Sequence, residues 1–151
     1  MWLMFLLTIV FLVVDIISKL VVSKLMDVFD SIVIIKDFFY ITYVRNTGAA
    51  WSIFEGRVLG LIVVSLIIIS FIIYYISKNS PKNKVEVVGY SLVLGGAFGN
   101  LLDRIIYGYV VDFLDFYIFG YDYPIFNLAD SFIFVGVVIL AICMWRCNDG
   151  D

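Results

Sequence analysis

The sequence predicts an integral membrane protein, mainly α-helical, with four transmembrane helices and a small extracytoplasmic β platform. Of its 151 residues 64% are apolar or aromatic and only 15% are charged, against roughly 45–50% and about 25% in an ordinary soluble domain. A water-soluble fold this small has too high a surface-to-volume ratio to bury so much apolar surface, and the mean hydropathy of +1.08 agrees. The apolar residues collect in four stretches near the ~20 residues a spanning helix needs. The connections between them are rich in β-branched and aromatic residues.

The first span covers about residues 2–22, with Asp15, Ser18 and Lys19 near its far end. It lacks the basic leading segment and small-residue cleavage site of a signal peptide, and its apolar run is too long for one. The second, about 58–76, carries no charge and is bracketed by Arg57 and Lys78. The third, about 85–102, is weaker: it holds Glu86 and four glycines and closes on Asn100, Asp103 and Arg104. The fourth, about 125–145, has Asp130 near its start. Together they predict a single membrane-embedded domain over residues 1–151, with outer segments at about 23–57 and 103–124.

Short basic connections stay in the cytoplasm. Residues 78–84 (KNSPKNK) hold three lysines and no acid, whereas 103–127 hold four Asp and one Arg. The termini are therefore expected inside and the two long connections outside. The stretch SIVIIKDFFYITYVRN at 31–46 reads as one or two strands. VVDFLDFYIF at 110–119 is β-prone too, with Gly120 and Pro124 as punctuation after it. Strand backbone cannot face lipid tails, so a platform in the headgroup zone or against protein is expected.

Function is narrowed first by exclusion. The chain has no histidine, which removes Ser-His and Cys-His nucleophile pairs and any His-ligated metal. Cys143 and Cys147 make a poor metal site, and as helical neighbours a poor disulfide. An inert pair at a membrane edge is expected, with no metal and no cofactor. The net charge of −3 and the lack of a basic run give no reason to expect nucleic acid; membrane lipids are the expected surroundings.

Ionisable groups at membrane depth cost several kcal/mol and persist only with a partner or a task. Here they gather at the outer ends of the spans. Asp15 and Lys19 stand i,i+4 and are expected to pair within their helix. Asp103 and Asp115 read as solvated rim residues. Arg104 either snorkels to the headgroups or, one turn after Asn100, shares a ligand with it. Gly95 and Gly99 suit close helix packing. Asp112 and Asp130 are harder to dismiss. Asp112 lies between Val111 and Phe113, and Asp130 stands at the mouth of an apolar helix, one turn from Asn127. If the chain between them doubles back, the carboxylates meet. Two carboxylates about 3 Å apart share a proton and supply both a base and an acid.

The motifs VVDIISK (13–19), NTGAAWSIF (46–54), GGAFGNLLDRIIYGYVVDFLDF (95–116) and FNLADSFIFVG (126–136) together resemble the bacterial lipoprotein signal peptidases, the signal peptidase II family of aspartic membrane peptidases. Order, spacing and four-span layout all agree over nearly the whole chain. Two departures are visible: Ile16 stands where the family usually has glutamine, and Trp51 where many members have phenylalanine. The resemblance implies an endopeptidase of the bacterial cytoplasmic membrane, acting near its outer face. It implies a diacylglyceryl-modified prolipoprotein as substrate, cut just before the lipidated cysteine. It places Asp112 and Asp130 at the catalytic positions and Asn46, Asn100, Arg104 and Asn127 among the residues that line the site and bind substrate. Asp15, with Lys19, takes a structural role. It demands no partner subunit, so a monomer is the simplest expectation. In the outer platform Phe38, Phe39, Tyr40, Trp51 and Phe54 are expected to cradle the lipid-modified segment, and a mobile part of this region is expected to act as a lid. The rival from another class is a small proton-coupled membrane transporter, although transport sites sit at the midplane rather than near one face.

Overall fold

A computed structural model describes residues 1–48 and 55–148. The chain runs α1 (Trp2–Leu25), β1 (Ser31–Ile35), β2 (Phe39–Asn46), α2 (Val58–Lys78), α3 (Lys84–Tyr107), β3 (Val110–Ile118), β4 (Tyr121–Asp122) and α4 (Leu128–Asn148). Among the described residues, four helices are long and apolar enough to cross a membrane. Long runs dominated by Leu, Ile, Val and Phe make α1, α2 and α4 stable in lipid, where every backbone group must be satisfied within the helix.

The third helix differs from the others. About 56% of its span is buried within the protein, against 17% for α1 and 11% for α2 and α4, so α3 is the hub and the rest present their apolar sides to lipid. Small residues let its neighbours close in. A Cβ at Gly95 would lie 2.8 Å from Phe11 Cβ of α1, and one at Gly96 would collide with the Ala129 carbonyl of α4. A Cβ at Gly99 would run into the Asp15 carboxylate. The expected packing role of Gly95 and Gly99 is thus met, and it serves the polar site as well as the helix interface.

Several boundaries differ from those read in the sequence. Helix α3 continues past residue 102 to Tyr107 and stops at Gly108, which adopts φ +76° and donates its N–H to the Arg104 carbonyl at 3.2 Å. Such a left-handed glycine is a strong helix terminator. Asp103 and Arg104 therefore belong to the helix and not to the outer segment. Helix α1 runs on to Leu25 and α2 to Lys78, while α4 begins at Leu128 rather than near 125.

The two long connections form one antiparallel sheet in the order β1-β2-β3-β4. Two of its strands fall within 31–46, and β3 occupies most of 110–119. Val44 pairs with Asp112 and Asn46 with Val110, beyond an irregularity between Ile41 and Val44. Tyr43, Val111 and Phe113 pack on Val22 and Met26 at the end of α1, forming an apolar cluster that seats the sheet on the helices. Phe126, just before α4, clips onto β3. Its carbonyl accepts from Phe113 and Leu114 N–H at 2.9 and 2.7 Å, and its own N–H donates to the Leu114 carbonyl at 3.1 Å. This clip doubles the chain back and brings the start of α4 to the middle of β3.

Candidate active site

The local structure around Asp130 is a capping box. Asn127, just ahead of α4, accepts the Asp130 N–H on Oδ1 at 3.0 Å, while Asp130 Oδ2 accepts the Asn127 N–H at 3.2 Å. This reciprocal arrangement satisfies two backbone donors that a helix start leaves open. A third is met from another helix: the Ala129 N–H donates to Asp15 Oδ1 at 2.9 Å. The mouth of α4 is buried, and side chains cap it in place of water.

Asp112 comes from β3 and faces the same space. Asn127 Nδ2 donates to its Oδ1 at 2.6 Å and Asn46 Nδ2 to its Oδ2 at 2.8 Å. Asn100 Nδ2 donates to Asp130 Oδ1 at 2.8 Å. All four carboxylate oxygens of the pair therefore receive a directed amide N–H. Burial first, and then the neighbouring Asp130 carboxylate, push Asp112 up to about 7, against the pull of its two asparagine donors. A carboxyl titrating there is suited to acid–base work near neutral pH.

Both aspartates line a cavity of about 980 Å³, together with the polar residues Asn46, Asn100 and Arg104. Phe29, Ile125, Phe126, Phe134 and Val135 are among its apolar lining. A cavity of this size takes a sizeable ligand, and a few fixed polar groups in an apolar surround give orientation. Arg104 donates to the carbonyls of Gly48 at 2.9 Å and Asn100 at 3.3 Å. It thereby ties α3 to the segment after β2, whose Gly48 N–H in turn holds Asn46 Oδ1 at 2.8 Å.

The residues singled out in the sequence thus converge, with differences in what they touch. Asn127 is fully buried and sits behind the pair, bonded to both carboxyls. It positions the aspartates rather than facing the cavity. Asp15 and Lys19 pair at 2.8 Å within α1 as expected, and Lys19 also reaches Asp103 at 3.1 Å. Asp103 and Asp115 correct the rim reading. Both are buried, Asp103 against Lys19 and the Val111 N–H, Asp115 beside Thr42 Oγ1 at 2.6 Å. Phe39 stacks on Phe116 with centroids 4.5 Å apart, so it serves the sheet; Phe38 and Tyr40 likewise contact sheet aromatics. Trp51, Phe54 and the expected lid fall outside the described residues. The capping box was readable as N-x-x-D ahead of an apolar run, a signal that fixes Asp130's rotamer as well as its helix.

A family model described as signal peptidase (SPase) II matches residues 7–146. The chain belongs to the signal peptidase II family. It is 41% identical over 137 residues to a lipoprotein signal peptidase of Staphylococcus carnosus, covering 91% of this chain and 86% of that protein. It is 44% identical over 135 residues to one of Bacillus pumilus, covering 89% and 87%. A solved bacterial membrane enzyme superposes with a TM-score of 0.91 at 36% identity, covering 98% of this chain and 90% of that one. A second gives 0.84 at 38% identity, covering 93% and 91%. As a member of the signal peptidase II family the chain is a protease and a multi-pass membrane protein. Neither the matched family model nor any of these named relatives is a transporter.

Proposed function

We propose that this protein is a membrane aspartic endopeptidase that removes the signal peptide from diacylglyceryl-modified prolipoproteins, cutting just before the lipidated cysteine, with Asp112 and Asp130 as its catalytic residues. The observation that carries the reading is the convergence of these two carboxyls on one cavity, each oxygen held by a fixed amide donor. Family membership and the lipoprotein signal peptidases among its relatives support the substrate class.

In the proposed reaction the ionised member of the pair takes a proton from a water molecule, and the resulting hydroxide attacks the scissile carbonyl. The protonated member donates toward the carbonyl oxygen as the tetrahedral intermediate forms. Collapse of that intermediate breaks the C–N bond, and the pair returns a proton to the leaving amine. The two groups titrate as a unit, so the reaction needs the state in which they hold one proton between them. Asn46, Asn100 and Asn127 keep the carboxyls pointed at the cavity, and Arg104 offers positive charge at its edge.

The basic connection at 78–84 supports an orientation with both termini in the cytoplasm and the cavity near the outer face. A substrate whose signal helix and acyl chains lie in the bilayer then reaches the cavity laterally, along its apolar lining. The chain acts as one peptidase domain, as a monomer, without a cofactor. The decisive experiment gives purified protein in detergent a lipidated prolipoprotein peptide and follows release of the signal peptide. Cleavage by wild type and none by Asp112→Asn is the expected result. Substrate-driven proton flux in liposomes without cleavage would replace this reading with the transporter.

A further inference from the structure

We infer that Lys19 is a positioning residue for the dyad: its hydrogen bond to Asn100 fixes which end of that carboxamide faces Asp130. The inference rests on the reading that Asp112 and Asp130 perform the chemistry, and it gives Lys19 a task beyond its ion pair within α1.

Lys19 is about 3% exposed. Its ammonium is ion-paired with Asp15 Oδ2 at 2.8 Å and Asp103 Oδ2 at 3.1 Å, and it donates a hydrogen bond to Asn100 Oδ1 at 2.9 Å. An ammonium only donates, whereas a carboxamide has a donor end and an acceptor end and can turn over. The two carboxylates hold the ammonium in place by charge, so its hydrogen bond is directed at Asn100 and demands the amide oxygen. The amide nitrogen is then directed to Asp130 Oδ1 at 2.8 Å.

A turned-over Asn100 would set its NH2 group against the ammonium and against Asn127 Nδ2, which now donates to Asn100 Oδ1 at 3.1 Å. Its oxygen would face the Asp130 carboxyl. Two bonds would become repulsions, and a third with them whenever Asp130 is the ionised member of the pair. Asn127 is itself unable to turn, because its oxygen accepts the Asp130 N–H. Direction therefore passes from a buried cation on α1, through α3, to a carboxyl on α4. Ion pairing of Asp15 and Asp103 alone does not require the third contact, and that contact is the one that leads to the dyad.

The test is a double-mutant cycle on cleavage of a lipidated prolipoprotein peptide, with rates expressed per folded enzyme from melting curves in detergent. Lys19→Met is expected to lower kcat about 10- to 100-fold with KM within about twofold, and Lys19→Arg, which keeps charge and donors, to restore most of it. If Lys19 acts through Asn100, adding Lys19→Met to Asn100→Ala slows the reaction by less than about threefold further. Losses that simply multiply would overturn the inference. Should Lys19→Met not fold, Asn100→Asp carries the test. It keeps shape, gains an ion pair with Lys19 and replaces only the donor facing Asp130 by an acceptor. A kcat loss of about 100-fold or more with unchanged melting supports the inference, and activity within about threefold of wild type overturns it. Cleavage by Asp112→Asn or Asp130→Asn would instead remove the dyad reading itself. Multiplying losses with both of those variants dead remove only the role of Lys19.

Discussion

Two pairs of aspartates meet at the end of the bundle that carries the sheet, Asp15, Asp103 and Asp112 buried and Asp130 half-buried, and they are solvated by opposite means. Asp15 and Asp103 are joined by the Lys19 ammonium between them. Each also accepts a backbone N–H, from Ala129 and Val111 respectively. Among the described residues no cation is bonded to Asp112 or Asp130; their oxygens take neutral amide donors and open on the cavity. A buried charge with a full partner is held in one state. A pair whose bonded partners are neutral dipoles, with cations only at a distance, can hold one shared proton. Residue type is the same in the two clusters, and under the proposed reaction the partner decides which is framework and which is reactive.

The comparison breaks most sharply at the reactive pair. Asp112→Asn and Asp130→Asn are each expected to lower kcat by about 10³-fold or more, as removal of one member of a concerted unit does. The fold should persist, with a local loss of about 1–3 kcal/mol because an asparagine NH2 then faces other donors. Cleavage assays beside circular dichroism in detergent separate the two effects.

Next in size, Asp15→Ala attacks the framework pair. It removes one partner of a buried ion pair and leaves the Ala129 N–H at the mouth of α4 without an acceptor. A loss of about 3–5 kcal/mol is expected, read as an earlier midpoint in denaturant. An unchanged midpoint would make the cluster dispensable to the fold.

The third expectation concerns pH. Asp112 titrates near 7 in the fold against 3.8 as its ordinary value. Between those values the folded protein holds a proton that the unfolded chain releases, so stability declines as pH rises through that window. Activity should fall on the alkaline side with a midpoint near 7, as the pair loses its proton. Melting temperatures and cleavage rates from pH 4 to 9 check both, and Asp112→Asn should flatten the stability slope. The smallest effect is expected at Gly108→Ala. Its left-handed backbone costs a side chain about 1–2 kcal/mol, with kcat unchanged because the residue lies outside both clusters.

How much of this was legible in the sequence follows from the range of the interactions concerned. The spans and strands were readable because hydropathy and β-branched runs are local properties. The end of α3 was not, because Asn100, Asp103 and Arg104 stand at helical spacing and look like the rim of a span. They lie inside a helix that Gly108 ends later. Burial of Asp103 depends on Lys19, far away in the chain, and burial of Asp115 on its strand neighbour Thr42, and neither contact leaves a local mark. The meeting of Asp112 and Asp130 hung on whether the loop returned. The clip of Phe126 on Leu114 decides that, and no pattern around Phe126 announces it.

That clip also has a mechanical consequence. It pins the start of α4 to the sheet, while Gly89 and Gly136 seat the helix against α3 farther along, so a change in tilt displaces the pinned end least. Asp130 lies about 3 Å along the axis from Leu128, and Asn148 about 30 Å. A tilt change of roughly 10°, within the range by which helices adapt to membranes of different thickness, carries the far end some 5 Å sideways and the carboxyl only about 0.5 Å. The aspartate sits close to the fulcrum, where a thicker or thinner membrane does least to the distance between the two acids.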